Sequence, residues 1–564
     1  MTAEQPALST IGRDGAARAQ ALARARELRA TPTSLVGYRS EGRVLIAGVD
    51  SMVRECAARL AERGLTVSLL ITDGAADAPG ASGARVIRAS LAAVRGYLGA
   101  FEVDVFTADG EVRALAPSVL TGNQSYDLVL DLTHPPAITI EVPPPGYFAP
   151  GRDASRLEAA IAAIPELKGE FEKPRYFAYD ADICAHGARG QRGCSRCLTA
   201  CPTDAITSIG ERIEVNPHLC QGGGSCATAC PTGAITYAYP PPAEQTDRLR
   251  MLLSTYRTAG GATPVVVLHD GEAGYDWLLA NAAHLPGHVL PFAVEEVGSV
   301  GLEAWLSLLA FGAVRVVLLA TAATPPAVRA ELGAQIQIAD AIVAALGYAP
   351  RSVRLVDAAP APVLAAHLAA DADTAARALA IAPAAFAGVP NKREALRLAI
   401  DHLYRQAISP PAEAPMPAHA PFGQILVDTA ACTLCLACVS VCPAGAVLAA
   451  GDRPRLDFVE QNCVQCALCA SACPEDAIRL EARLIFDRER RAARRVLNED
   501  QPFACIGCGK IFGTTRTIDR MLEKLAGHWM FRDKPEQLRR LRMCEDCRVK
   551  DMFKDGGGLL DVER

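Results

Sequence analysis

The stretch CTLCLACVSVCPAGAV (432–447), followed at a fixed distance by CVQCALCASACPEDAI (463–478), decides the fold of the segment that carries it. Each half reads C-x2-C-x2-C-x3-C-P: Cys432, Cys435, Cys438 and Cys442, then Cys463, Cys466, Cys469 and Cys473. Three thiolates two residues apart can wrap one loop around three irons of a cube. The fourth cysteine begins a segment that leads away, so it serves a neighbouring cube. The spacing therefore assigns one [4Fe–4S] cluster to Cys432, Cys435, Cys438 and Cys473, and a second to Cys463, Cys466, Cys469 and Cys442. The proline after each fourth cysteine turns the chain and carries no N–H. Zinc sites or plain core cysteines are the alternatives, and eight cysteines in this register leave them little room.

Outward from this stretch, the pattern Cys-Pro-x-x-Ala-(Ile/Val) occurs twice more, as CPTDAI (201–206) and CPTGAI (230–235). The unit is thus a duplicated element that is itself present twice. The upstream copy departs in two places. Cys194, Cys197 and Cys201 fill three positions, and Cys184 fills the first across a glycine-rich insert, AHGARGQRG (185–193), that can loop out. Cys220, Cys226 and Cys230 fill the other half, with Gly223 of QGGGSC (221–226) where a second cysteine would stand. Crossing the ligands as before gives a [4Fe–4S] set of Cys184, Cys194, Cys197 and Cys230. It leaves Cys201, Cys220 and Cys226 for a [3Fe–4S] cluster, or for a [4Fe–4S] cluster with one open iron; the first is slightly preferred. His218 is the nearest candidate for a further ligand, and reads more simply as a solvated loop histidine.

These motifs resemble the bacterial dicluster ferredoxin family, closely over 426–482 and in degenerate form over 151–245. The resemblance implies small α+β units with pseudo-twofold symmetry and one-electron transfer between two nearby clusters.

A third cysteine group lies near the C-terminus: Cys505-x2-Cys508 and Cys544-x2-Cys547. Two such pairs form knuckles whose four thiolates suit tetrahedral Zn²⁺ without an open position. A mononuclear iron ranks next and a further iron–sulfur cluster last. Between the pairs, TTRTIDRMLEKLAGH (514–528) predicts a helix capped by threonine, so that 483–564 reads as a helical, zinc-ribbon-like domain. Arg539, Arg540, Arg542 and Arg548 suit either a nucleic acid or an acidic partner protein.

The remaining chain predicts two α/β domains, at 34–150 and 261–390. In the first, RVLIAGVD (43–50), TVSLLITDG (66–74) and YDLVLDL (126–132) read as strands and SMVRECAARLAERG (51–64) as a helix, up to a proline-rich boundary at 141–150. In the second, strands at 263–270, 287–294, 314–321 and 352–358 alternate with helices at 301–312 and 334–347. This alternation predicts a parallel sheet covered on both faces. Neither domain has a G-x-G-x-x-G or a P-loop, so no flavin or nicotinamide is assigned. Cys56, the one cysteine outside the motifs, reads as a buried core thiol. Residues 1–33 read as a surface helical segment, and 391–425 as a helix followed by an extended Pro/Ala-rich linker (408–423).

The order LPFAVEEVGSVGLEAWLSLLAFGAVRVVLLA, then GAQIQIADAIVAALGYAPRSVRLVD, within 287–358, is similar to the hydrogenase iron–sulfur delta subunit that serves heterodisulfide reductase. That likeness implies docking to a partner oxidoreductase subunit. It does not carry over a cluster, because no cysteine lies between 230 and 432. The overall layout is also similar to ferredoxin-domain proteins associated with formate dehydrogenases.

The 564 residues exceed one core, and a net charge of −6 argues against a dedicated nucleic-acid surface. No apolar run is long enough to cross a membrane, and the Ala/Arg-rich N-terminus lacks a secretory h-region. Of twenty cysteines, all but Cys56 fall in tight motifs, as expected of ligands in a reducing cytoplasm. The predicted role is electron transfer between redox partner proteins. The alternatives are an enzyme with an open iron at the three-cysteine site, and a sensor or maturation factor acting through the C-terminal ribbon.

Overall fold

Hydrophobic runs of Val, Leu and Ile become the buried central parallel strands of both α/β regions, since helices or loops cover each face. The computed structural model describes residues 12–28, 34–73, 86–107, 109–115, 125–359, 381–451, 453–532 and 534–554, with Leu8 and Pro32. Parts of the expected segments 1–33, 34–150, 261–390 and 483–564 lie outside the described residues.

The first region contains a five-stranded parallel sheet in the order Val86–Arg88, Thr66–Ile71, Arg43–Gly48, Leu128–Asp131, Tyr147–Phe148. Its last strand lies inside the proline-rich stretch expected to be a boundary. The helix Asp50–Ala61 packs on the sheet, and Cys56 sits in the core beneath it, 3% exposed. At the N-terminus of that helix the Asp50 N–H donates to Asp73 Oδ1 (2.8 Å), so a carboxylate of the chain occupies one donor a phosphate would use.

The second region holds a four-stranded parallel sheet, ordered Val289–Ala293, Val265–His269, Arg315–Ala320, Val353–Asp357. The helix Leu302–Ala310 is buried along its length except at Glu303, with Trp305, Leu306 and Leu308 at 0% exposure. The helix Lys392–Gln406 covers it. Asn391 caps that helix by accepting from the Glu394 N–H (3.0 Å), and Leu396, Ile400 and Leu403 face inward.

Two expectations are corrected here. The N-terminal helix Gly12–Glu27 is not a free surface helix. Its small face (Ala17, Ala21, Leu22, Ala25) joins the second α/β core against the helix Pro242–Thr258. Arg18 is 1% exposed and donates to the carbonyl oxygens of Pro286 (2.7 Å) and Val289 (3.3 Å). A side chain at Gly287 would meet the Gly15 backbone nitrogen at 2.7 Å, so glycine permits this close seam. The stretch 408–423, expected to be an extended linker, joins the fold from Glu413 onward. Glu413–Pro415 pairs with the strand Ile478–Ile485, and Met416, Ala420 and Phe422 are buried. The second α/β core therefore runs without interruption into the strand that follows CPEDAI.

Around the cysteines the elements are short. Helices Arg196–Ala200 and Ser225–Ala229 lie with the antiparallel pair Phe177–Tyr179/Ile235–Tyr237 and the hairpin Ile206–Ile209/Arg212–Val215. Helices Ala437–Ser440 and Leu468–Ser471 lie with Gly423–Val427/Ile478–Ile485 and the sheet Val447–Ala449/Arg455–Val459/Arg494–Glu499. No described helix is long and apolar enough to cross a membrane.

Candidate metal centres

The loop backbones repeat. Leu434 and Leu436 (φ 56° and 61°) and Gln465 and Ala467 (φ 54° and 66°) are left-handed at the same two places, two and four residues after the first cysteine of each motif. Left-handed backbone costs a non-glycine residue about 1–2 kcal/mol, a strain typical of functional loops. In the upstream module the same two places are Gly222 and Gly224 (φ 84° and 75°), which flank Gly223. The loop geometry is thus kept where the cysteine is absent. Gly224 also has a steric reason: a side chain there would meet Ser299 Cα at 2.3 Å.

Three cavities are each bordered by four thiols. Cys432, Cys435, Cys438 and Cys473 surround one. Cys442, Cys463, Cys466 and Cys469 surround a second. Cys184, Cys194, Cys197 and Cys230 border a third, together with Tyr179 and His186. Cys201, Cys220 and Cys226 form a smaller group, in which the other two thiols are the first to oppose ionisation of Cys226 after burial itself.

The thiols within each group oppose one another's ionisation. Burial, then Cys230, Cys194 and Cys184, pushes the Cys197 thiol up to about 12. Burial, then Cys432, Cys435 and Cys473, does the same at Cys438, to about 12. Cys466 rises to about 11 through burial, Cys442, Cys463 and Cys194. Converging thiolates in an apolar pocket repel one another, and a multivalent iron–sulfur core relieves that repulsion. The donor set therefore fits such a group.

The Cys-Pro-x-x-Ala repeat has a local cause as well. The N–H groups of Ala446 and Ala477 donate to Cys442 Sγ and Cys473 Sγ (both 3.3 Å). In the upstream copy Thr203 and Thr232 stand by their sulfurs instead, with Oγ1 at 3.3 Å from Cys201 Sγ and 3.5 Å from Cys230 Sγ.

The two modules touch. The insert 185–193 does not loop out into solvent; it forms a small hairpin, Gly187–Ala188/Gln191–Arg192. Gly193 at its end lies against Leu468, which is 0% exposed. Ala185, Val441 and Leu468 make one apolar cluster, and Cys194 and Cys466 both pack on it. His218, expected in solvent, stacks on Tyr97 (centroids 4.3 Å apart, 5° between planes) with Tyr38 at its edge.

The C-terminal thiols of Cys505, Cys508, Cys544 and Cys547 all lie within 4.8 Å of one another and could hold a metal ion. Burial disfavours the Cys505 thiolate, but N–H groups of Cys544, Gly507 and Cys508 outweigh it and bring the thiol down to about 6. Thr514 caps the helix Thr515–Ala526 (Thr517 N–H to Oγ1, 3.0 Å), and Thr517 Oγ1 and Arg516 reach the loop carbonyls of Thr433 and Cys432. Arg539 and Arg540 are paired with Asp551. Stripping this site with a chelator, or replacing Cys544→Ser, is expected to loosen 505–554 from the ferredoxin loop. Faster proteolysis there and a lower melting temperature, with cluster absorbance retained, check it.

Sequence reasoning missed the cations that close on these loops. Lys173, Arg393 and Arg516 donate to cysteine carbonyls 47, 70 and 84 residues away in sequence, and no local pattern marks them.

Two segments, residues 166–234 and 431–477, match the family model described as a 4Fe-4S dicluster domain. A search of curated proteins finds no match. The two dicluster matches imply [4Fe–4S] clusters and support an iron–sulfur electron-transfer role with redox partners.

Proposed function

We propose that this chain is an electron-transfer component of a larger oxidoreductase, passing electrons through both modules in series. The observation that carries this is the inter-module contact: Cys194 and Cys466, from different modules, pack on one apolar cluster of Ala185, Val441 and Leu468. Four ligand groups then follow one another. They are Cys201/Cys220/Cys226, Cys184/Cys194/Cys197/Cys230, Cys442/Cys463/Cys466/Cys469 and Cys432/Cys435/Cys438/Cys473. Cys197 bears on Cys226 in the first pair and Cys438 on Cys469 in the last, which supports the order. When bound, each cluster supplies a one-electron couple. The residues of the chain hold the clusters, exclude water with an apolar lining, and fix their separation through packing.

The C-terminal thiols take Zn²⁺ in this proposal, pinning the helix Thr515–Ala526 to the loop of Cys432. The α/β regions dock partners, of the formate dehydrogenase type or of the heterodisulfide-reductase and hydrogenase type. Support for a docking role comes from the second region, whose Gly298 and Ser299 lie directly against the Gly223–Gly224 loop. The chain works in the cytoplasm in this proposal.

Reductive titration of anaerobic protein followed by EPR tests the function. Several clusters that reduce and reoxidise reversibly are expected, and clusters of fixed oxidation state would overturn it. The three-thiol group gives a separate prediction. The nearest atom to a Cβ at Gly223 is Pro202 Cγ at 3.7 Å, so Gly223→Cys has room. It is expected to complete a fourth [4Fe–4S] site, raising iron by about one per chain if that site otherwise holds [3Fe–4S], with electron transfer preserved. Loss of turnover with a partner's substrate would instead point to an open iron acting as an enzyme site.

A further inference from the structure

At three of the four ligand groups a cationic side chain reaches from a distant element to the backbone carbonyl of the first cysteine. Lys173 Nζ donates to Cys220 O (2.7 Å) and to His218 O (3.1 Å). Arg393 Nη2 donates to Cys463 O (3.1 Å) and Gln461 O (3.0 Å), while its Nη1 donates to Pro421 O (2.7 Å). Arg516 Nη1 donates to Cys432 O (3.3 Å) and to Thr429 O. The three cations come from unrelated elements: the strand Gly169–Pro174, the helix Lys392–Gln406 and the helix Thr515–Ala526. They nevertheless meet the same atom of the motif. At the remaining group the nearest equivalent is His186, whose Nδ1 lies 2.9 Å from Cys194 O, the carbonyl of a different motif position.

Among the described residues each of the three cations bonds carbonyl oxygens rather than a carboxylate. Lys173 also lies over the Tyr38 ring (4.9 Å), and Arg393 over that of Phe422 (5.1 Å), so both are held in place by stacking. Lys173, Arg393 and Arg516 are each half-buried against the loop whose carbonyls they bond. A fixed positive charge in such a setting acts strongly on a neighbouring couple, because the added electron makes the cluster more negative. Cluster potentials respond to net charge and to hydrogen bonds near the sulfurs.

We infer that Lys173, Arg393 and Arg516 are positioning residues, each raising the reduction potential of the cluster held by the cysteine whose carbonyl it bonds. This rests on the electron-transfer role proposed above. It assigns potential control to residues outside the cysteine motifs, on the elements that dock each module to its neighbours.

The test is a mediated potentiometric titration of the full chain, anaerobic, comparing wild type with Lys173→Gln, Arg393→Gln and Arg516→Gln. Glutamine keeps a donor and removes the charge. Each variant is expected to lower one midpoint, a different one in each case, by at least tenfold in the reduction equilibrium, or about 59 mV for one electron. Arg393→Lys, which keeps the charge, is expected to hold its midpoint near that of wild type. Should Arg393→Gln lose its cluster, the Lys173 and Arg516 variants decide. Unmoved midpoints with clusters retained, or all variants moving the same midpoint, overturn the inference. Iron and sulfide measured on the same samples separate its failure from failure of the cluster assignment itself.

Discussion

Replacing Cys473 with alanine is expected to damage the site built on Cys432, Cys435 and Cys438, and to leave the site built on Cys463, Cys466 and Cys469 intact. Cys473 follows the second loop in sequence but borders the first cavity, together with Cys432, Cys435 and Cys438. Cys442, from the first motif, borders the other. The electrostatic neighbours agree, since Cys438 ionisation is opposed by Cys432, Cys435 and Cys473. Iron is expected to fall by about one per chain if a [3Fe–4S] remnant persists, and by about four if the site empties. Cys442→Ala is expected to produce the reciprocal loss. Iron and acid-labile sulfide, with EPR of the reduced protein, measure both. Loss from the Cys463 group in the Cys473 variant would show that each motif serves its own cluster.

The second large effect is expected at the seam between modules. A Cβ at Gly193 would lie 2.5 Å from the Ala185 carbonyl oxygen and 2.7 Å from Leu468 Cγ. The first of these is backbone of the same insert, whereas the second belongs to the helix of the other module and sets the seam. Gly193→Leu therefore forces the hairpin off the helix Leu468–Ser471 and separates Cys194 from Cys466, although neither ligand set is altered. Clusters are expected to be retained, while electron equilibration between modules slows by an order of magnitude or more. Rapid-mixing reduction, followed at visible wavelengths, would resolve into two phases. Leu468→Ala removes the same contact from the other side and costs about 2–5 kcal/mol as a core truncation. Single-phase reduction in both variants at the wild-type rate would remove the seam from the path.

Much of this was legible in the residues. Runs such as TPVVVLHD and VRVVLLAT announce buried parallel strands, because Val and Leu without polar alternation can only be covered on both faces. The cysteine groups are legible because the covalent spacing of ligands is local information. What the sequence hides is placement across distance. The N-terminal helix docks through alanines, which carry a weak hydrophobic signal, and its destination lies some 240 residues onward at Tyr256 and Ala262. The strands Val86–Arg88 and Tyr147–Phe148 are too short to show a period. The insert at 185–193 reads as a spacer, yet it is the contact surface between modules. The glycines of QGGGSC read as a lost cysteine, whereas Gly222 and Gly224 hold the left-handed turns of the loop and Gly224 makes room for Ser299. Lys173, Arg393 and Arg516 carry no pattern at all, since only the folded chain brings them to the cysteine carbonyls.

The most direct test of a four-site electron path is the metal and acid-labile sulfide content of protein purified without oxygen. About 15 or 16 irons per chain are predicted, according to the cluster at the three-thiol group, with sulfide in near-equal amount and one zinc. A colourless protein with zinc in place of iron and no sulfide would contradict it.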